Sequence, residues 1–255
     1  MRFSVLGSGS RGNAVYIEAG DSAVLIDAGF SGKELQKRMH SVGRDLANVN
    51  ALCITHEHHD HICGAGVISR RYEIPVVIND ATLEAASPKI GKLFDTTIFS
   101  AGEIVSVGDL EIRSFRISHD TADPVGFVIS DGNKCLGYLT DTGKVSHLMV
   151  QRLLSCHAAI IEFNHDLEML KYGPYPLPLQ QRVRSSRGHL SNDDAAEFLA
   201  ELMGGAIKDI VLAHLSEKNN TVELARVAAT RCLIQWPEVN LHIAGQDSAL
   251  PLLQL

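Results

Sequence analysis

Short runs of apolar and strand-forming residues, broken by turns, open the chain. Residues 3–7, 14–19 and 23–27 read as strands, separated by the stretch from Gly7 to Asn13 and by a Gly20-Asp21 turn. Residues 31–41 change to a helical period, with Ser31 placed as N-cap. Ala51-Leu52-Cys53-Ile54 is apolar and strand-like, Ile74 to Ile78 is a further strand, and Asp80 to Ala86 makes a helical turn or two. Strands are predicted near 97–99, 103–107, 110–117, 125–130, 134–140, 157–162, 209–213 and 240–243. Helices fit 144–154, 179–187, 191–203 and 221–233. The stretch Gly173-Pro174-Tyr175-Pro176-Leu177-Pro178 reads as a rigid loop, and no second core, long linker or low-complexity segment interrupts the pattern. The expectation is one α/β domain over residues 1–255, with two β-rich halves flanked by helices.

Composition narrows this. A chain of 255 residues, 45% apolar, is long enough for a large core, and no apolar stretch approaches the roughly 18 residues that cross a bilayer. Met1-Arg2-Phe3-Ser4-Val5-Leu6 enters a strand at once and lacks the apolar region of a signal peptide. The five cysteines, Cys53, Cys63, Cys135, Cys156 and Cys232, are an odd number without close pairing, and read as buried thiols in a reducing cytoplasm. A net charge of −7 argues against a broad basic surface. It leaves room for a local channel at Gln181-Arg182-Val183-Arg184-Ser185-Ser186-Arg187-Gly188-His189, which holds three arginines and no acid, unless that run is a solvated helix face.

The densest chemistry lies at His56-Glu57-His58-His59-Asp60-His61, directly after the 51–54 strand. A strand ending in a short turn delivers several side chains to one point above a sheet edge. Neutral imidazoles suit zinc and related divalent ions, and an aspartate can bind or bridge a second ion. His59 lies between the candidate ligands and is expected to point away.

His56-x-His58-x-Asp60-His61 resembles the metal motif of the metallo-β-lactamase fold superfamily. The resemblance implies an αββα sandwich of two mixed β-sheets flanked by helices, with metals at one edge. It also implies further ligands at strand ends, for which the chain offers His119, Asp141 and His214. In the implied arrangement His56, His58 and His119 make a three-imidazole site, Asp60, His61 and His214 make a second, and Asp141 bridges both. Redox di-iron members carry a carboxylate where His58 stands, and imidazole suits hydrolytic zinc or manganese. Two such ions hold a bridging hydroxide and polarise a phosphoryl or carbonyl oxygen, so the implied chemistry is hydrolysis, with Asp60 orienting the hydroxide.

The segments Ile161 to Asp166, Arg187 to Asn192 and Ala213 to Asn220 resemble the bacterial WalJ (YycJ) branch of that superfamily. This implies exonucleolysis of DNA, with DNA rather than RNA as partner. Gly188-His189-Leu190-Ser191 is similar to the histidine motif of the β-CASP nucleases, where the histidine handles phosphate. His189 is therefore a candidate for phosphate contact or proton donation, and Arg182, Arg184 and Arg187 for gripping the strand. Against this, His189 also reads as a neighbour of the N-cap Ser191, ahead of an acid-rich first helical turn. His165 is a weaker candidate, against a buried, satisfied histidine.

Gly7-Ser8-Gly9-Ser10-Arg11-Gly12 spells a dinucleotide-binding fingerprint, but that motif needs a helix opening at the loop. Strand formers from Ala14 to Glu18 follow instead, so no nucleotide cofactor is expected. Asp27 is expected as a buried acceptor that orients a metal ligand, and Arg11 as a solvated cation. A phosphodiesterase on nucleic acid, a small-molecule hydrolase of an ester, thioester or cyclic phosphodiester, and a non-enzymatic metal-dependent binding protein all remain open. The acidic balance favours the second and the arginine run the first. A full seven-ligand set weighs against the third.

Overall fold

The opening strands fold because their inward residues are apolar without a break. In the computed structural model, which describes residues 1–255, β1 (Arg2–Gly7), β2 (Ala14–Ala19) and β3 (Ser22–Ile26) form an antiparallel meander. The turn between β2 and β3 closes across Ala19 and Ser22, with Gly20 at φ 54°. That left-handed conformation suits glycine, and a Cβ there would stand 2.3 Å from the Asp109 carboxylate. The Gly7-to-Gly12 loop thus joins two strands of a hairpin and precedes no helix.

From β3 the chain changes to parallel pairing. β4 (Ala51–Cys53), β5 (Val76–Ile78) and β6 (Thr96–Ile98) follow in order. Between them run α1 (Gly32–Ser41), α2 (His59–Ile62), α3 (Ala65–Tyr72) and α4 (Asp80–Ile90). Such crossovers require helices, because parallel neighbours cannot be joined by a tight turn. Ser31 caps α1 by accepting from Glu34 N–H at 3.3 Å, and Asn79 caps α4 by accepting from Thr82 N–H at 2.9 Å. Leu6, Leu25, Leu35, Met39, Leu52, Ile68 and Val76 meet in one buried cluster.

The second half supplies β7 (Ile104–Val107), β8 (Leu110–Arg116) and β9 (Val125–Ser130), an antiparallel run, then β10 (Cys135–Leu139), β11 (Ala158–Glu162), β12 (Asp209–Ala213) and β13 (Asn240–Ile243), a parallel run. Helices α5 (His147–Leu153), α6 (Leu167–Tyr172), α7 (Leu177–Val183), α8 (Asn192–Leu202) and α9 (Val222–Leu233) fall among these last strands, and β14 (Leu253–Gln254) returns to pair with β1. The result is two mixed seven-stranded sheets with flanking helices. By backbone proximity the chain divides into two compact units, one of residues 1–116, 121–134 and 245–255, the other of 117–120 and 135–244. No helix is long and apolar enough to cross a membrane.

Some elements differ from expectation. α3, α6 and β14 were not foreseen, α4 runs on through Pro88 to Ile90, α5 is confined to 147–153, and α7 starts at Leu177 inside the proline-rich loop. Pro176 and Pro178 sit at the N-terminus of α7, where a missing N–H costs nothing. Cys53 and Cys156 are buried, but Cys63 is exposed and Cys135 and Cys232 are half-buried, so the expectation of buried thiols fails for those three.

Candidate metal centre

The first unit holds one cluster of candidate ligands, built on the turn that follows β4. His56 and His61 are buried, His58 and Asp60 half-buried, and His59 exposed. The ring of His56 lies 4.1 Å from that of His61 and 4.8 Å from that of His58. The backbone of this turn is clamped by the loops after β1 and β3: Asn13 N–H donates to Asp60 C=O at 2.8 Å, and Ala28 N–H to His61 C=O at 2.7 Å. Gly29 permits this approach, since a Cβ there would stand 1.7 Å from the Asp60 carbonyl oxygen. Gly12 meets the same constraint against Gly29 C=O, at 2.7 Å. Gly12 of the false fingerprint therefore serves close packing. Arg11 pairs on the surface with Asp247 at 2.7 Å.

Proton positions in this cluster follow from donor and acceptor chemistry. The fully buried Asp27 carboxylate accepts from Thr55 N–H at 2.9 Å, from the Thr55 hydroxyl at 2.9 Å and from His61 Nδ1 at 2.7 Å. A carboxylate here only accepts, so His61 carries its proton on Nδ1 and its lone pair on Nε2. The Thr55 hydroxyl spends its proton on Asp27, so its oxygen accepts from His56 Nδ1 at 3.0 Å. His56 is thereby held in the same tautomer.

The second unit repeats the logic at the ends of its own strands. Asp141, His189 and His214 gather around Glu162, the last residue of β11, and His119 lies beside Asp141. One donor atom each from Asp141, Glu162, His189 and His214 lies within 4.8 Å of all the others. Glu162 is fully buried, and its Oε1 accepts from Nδ1 of both His189 and His214, each at 2.8 Å. Its Oε2 accepts from Leu190 N–H at 3.1 Å and Thr142 N–H at 3.2 Å. Burial opposes ionisation, but the two histidines outweigh it and hold the Glu162 carboxyl below the usual carboxylate range. His119 Nδ1 donates to Gly188 C=O at 3.0 Å, and burial keeps this histidine below its ordinary range, in the neutral form. Asp141 Oδ1 lies 3.8 Å from His119 Nε2 and 3.4 Å from His214 Nδ1.

Three of these positions store backbone strain. Asp27, Asp141 and His214 have φ of 59°, 59° and 55°, in the left-handed region that non-glycine residues rarely adopt. Each such residue costs about 1–3 kcal/mol and persists where the surroundings over-determine it, which concentrates such residues at functional sites.

This donor set fits divalent cations. His56, His61, His119, His189 and His214 each have Nδ1 engaged by an oxygen acceptor, which leaves Nε2 as the lone-pair atom; on His61 that nitrogen accepts from Asn13 Nδ2 at 3.0 Å, a bond that an ion would displace. An oxygen partner on the far ring nitrogen is the usual support of a metal-ligating histidine. Of the arginine run, Arg182 is paired with Asp120 at 2.5 Å, and Arg187 Nε donates to His119 C=O at 3.2 Å. Arg184 instead lines a cavity of about 440 Å³ with Lys144, Leu190 and Glu197. His165 is buried, and its C=O accepts from Asn192 N–H at 2.8 Å. Sequence reasoning gave no role to Glu162, Thr55 or Asn13. Glu162 left a trace: a lone carboxylate closing the apolar run Ala158-Ala159-Ile160-Ile161.

Two mixed sheets with flanking helices and imidazole-rich turns at strand ends define a metallo-β-lactamase-fold protein. The chain belongs to the beta-lactamase superfamily domain family, whose model matches residues 22–215. More narrowly, it is 40% identical over 91% of its length, and 89% of the relative's, to the exodeoxyribonuclease YycJ of Bacillus anthracis. It is 37% identical to the exodeoxyribonuclease WalJ of Streptococcus pneumoniae, over 100% of this chain and 98% of that one. Among solved structures it is similar to the metallo-β-lactamase fold protein YhfI of Bacillus subtilis, with a TM-score of 0.74 at 18% identity and 98% of both chains covered. Fold, family and full-length relatives together make this protein a metal-dependent hydrolase.

Proposed function

We propose that this protein is an exonuclease acting on the ends of DNA in the cytoplasm, its whole chain, 1–255, working as one domain. The observation that carries the reading is the fixed tautomer of His56, His61, His119 and His214, each presenting Nε2 as its lone-pair atom. The full-length likeness to YycJ and WalJ supports DNA as the substrate class.

His56, His58 and His119 are assigned to one divalent ion, Asp60, His61 and His214 to a second, and Asp141 to both, with zinc or manganese as the ions. When bound, such a pair supplies a hydroxide at neutral pH and stabilises charge on the phosphate. The chain's own groups do the rest. Asp60 orients the nucleophile, while Asp27 and Glu162 fix the rings of His61 and His214. His189, whose side chain is 18% exposed while that of His214 is only 4%, is the imidazole open to substrate. Its role is to touch the scissile phosphate and, as the imidazolium that Glu162 stabilises through Nδ1, to pass its Nε2 proton to the leaving oxygen. Arg182, Arg184 and Arg187 hold the strand, with the Asp120 partner of Arg182 exchanged for a phosphate.

The test is incubation of the protein, loaded with zinc or manganese, with end-labelled DNA, end-labelled RNA and a chromogenic phosphodiester. Progressive shortening of DNA is expected. Cleavage of the small diester or an ester, with DNA and RNA left intact under both metals, would replace this reading with a small-molecule hydrolase. The acidic balance and the ion pair that neutralises Arg182 would then be its explanation.

A further inference from the structure

Around the arginine run, the whole stretch from Met169 to Asn192 contains no carboxylate, in a chain whose net charge is −7. Four cations, Lys171, Arg182, Arg184 and Arg187, fall within it, together with Tyr172 and Tyr175. The fold fastens both ends of this strap to loops that carry candidate ligands. α6 enters from Asp166, whose N–H donates to Asn219 C=O at 2.8 Å, in the loop that follows His214. Gly173, where α6 ends, lies against the same loop: a Cβ there would stand 2.6 Å from Asn219 Oδ1. At the far end Arg182 pairs with Asp120, next to His119, and His189 N–H donates to Val183 C=O at 2.9 Å. Between these anchors Tyr172 is 73% exposed, and the Lys171 ammonium sits 4.7 Å from its ring centroid. Tyr175 is half-buried.

We propose that Tyr172 is a stacking platform for an unpaired base of single-stranded DNA beside the candidate metal centre, an inference that rests on the exonuclease reading. A nucleic acid strand carries one charge per phosphate and a flat base on each sugar. Cations interleaved with aromatic rings match that pattern. The 169–192 strap has this interleaving and no carboxylate to repel the backbone. With Lys171 on one face, the exposed Tyr172 ring offers its other face to a base. Every base presents a π-face, so the contact is indifferent to sequence, as removal of successive nucleotides requires. In a duplex the bases stack on one another, and freeing one costs unstacking and unpairing energy. The platform therefore selects a single strand, while the ligand set and His189 act on its phosphate.

The test is fluorescence anisotropy of the full-length, metal-loaded protein with a labelled single strand whose phosphorothioate linkages slow cleavage. Tyr172→Ala should weaken binding roughly 5- to 150-fold, the range of one base–aromatic stack. Tyr172→Phe keeps the ring and should bind within about twofold of the parent. Stacking neutralises no phosphate, so the slope of log affinity against log salt should be unchanged in Tyr172→Ala. A strand of abasic sites, and a blunt duplex, should bind Tyr172→Ala and the parent equally, which also shows that the variant is folded. Ile234→Ala is the control and should bind as the parent does. Ile234 is also 73% exposed, but it lies where β13 begins, opposite the strand ends that carry Glu162 and His214. Parental affinity in Tyr172→Ala, an equal loss in Tyr172→Phe or Ile234→Ala, or the same loss on the abasic strand overturns the proposal. If the protein shortens DNA while Tyr172→Ala binds it as the parent does, this inference alone falls. If DNA is neither bound nor shortened, the exonuclease reading falls with it.

Discussion

Replacing Glu162 by glutamine changes one buried group and leaves its shape intact. The carboxylate accepts four hydrogen bonds, two from histidines on Oε1 and two from backbone amides on Oε2. An amide offers one oxygen and one NH2. In one orientation the NH2 faces Thr142 and Leu190 N–H. In the other it faces Nδ1 of His189 and His214 and drives both rings into the opposite tautomer, with a proton on Nε2. In the first orientation two bonds are lost and donors face donors in a fully buried site; in the second the bonds survive only by protonating both Nε2 atoms, which removes them as ligands. Bonds to a charged group contribute about 1.5–3 kcal/mol each, partly offset because a neutral amide is cheaper to bury. A net loss of about 3–5 kcal/mol is expected, a large part of a typical domain's stability. Since Glu162 also orients His214, metal affinity should fall roughly 10–100-fold. Urea unfolding of the metal-free protein gives the first number, and competition with a chromophoric chelator the second. A destabilisation under about 1 kcal/mol with metal affinity unchanged would refute the reasoning.

Four further outcomes are expected. Asp60→Asn keeps the shape but removes the charge assigned to orienting the nucleophile, so turnover should fall at least about 100-fold at saturating metal with the fold intact; near-normal initial rates would contradict the role. Burial holds His165 down to about 4 from an ordinary 6.5, so the unfolded chain binds more protons between those values. Stability should then fall as pH drops through that window, by up to roughly 1.4 kcal/mol per unit, and His165→Gln should flatten the slope of urea midpoints against pH. Ser191→Ala removes a cap that accepts from Asp194 N–H at 3.1 Å and donates to its carboxylate at 2.6 Å, and should cost about 1 kcal/mol by thermal unfolding. If Arg182 meets a phosphate, Arg182→Ala should lower the slope of log affinity for single-stranded DNA against log salt by about one, measured by fluorescence anisotropy.

Much of the fold was legible because it rests on local patterns. The first three strands, α1 with its Ser31 cap and α8 with its Ser191 cap lie where periodicity and capping chemistry put them, because a cap or a turn is decided within four residues. α3 was not legible. Its segment Ala65-Gly66-Val67-Ile68-Ser69 contains a glycine and two β-branched residues, poor helix formers. It is helical because Gly66 packs where a Cβ would stand 1.9 Å from Ile90 C=O, a contact no local window contains.

The same division runs through the candidate centre. Residue types and spacing from His56 to His61 marked it as metal-binding within six positions, since a strand end and a short turn suffice to gather those side chains. Sequence also marked His119, Asp141 and His214 as strand-ending residues and, by resemblance, as ligands. Tertiary structure alone decided which ring nitrogen each imidazole presents, because that depends on acceptors far along the chain: Asp27 for His61, Gly188 for His119, Glu162 for His214. It also decided that Arg182, in a run without a local acid, meets Asp120. Short-range patterns set the backbone and the identity of the donors. A buried hydrogen bond needs a partner at a fixed distance and angle, and only the folded chain brings residues 52 positions apart, such as Glu162 and His214, to 2.8 Å.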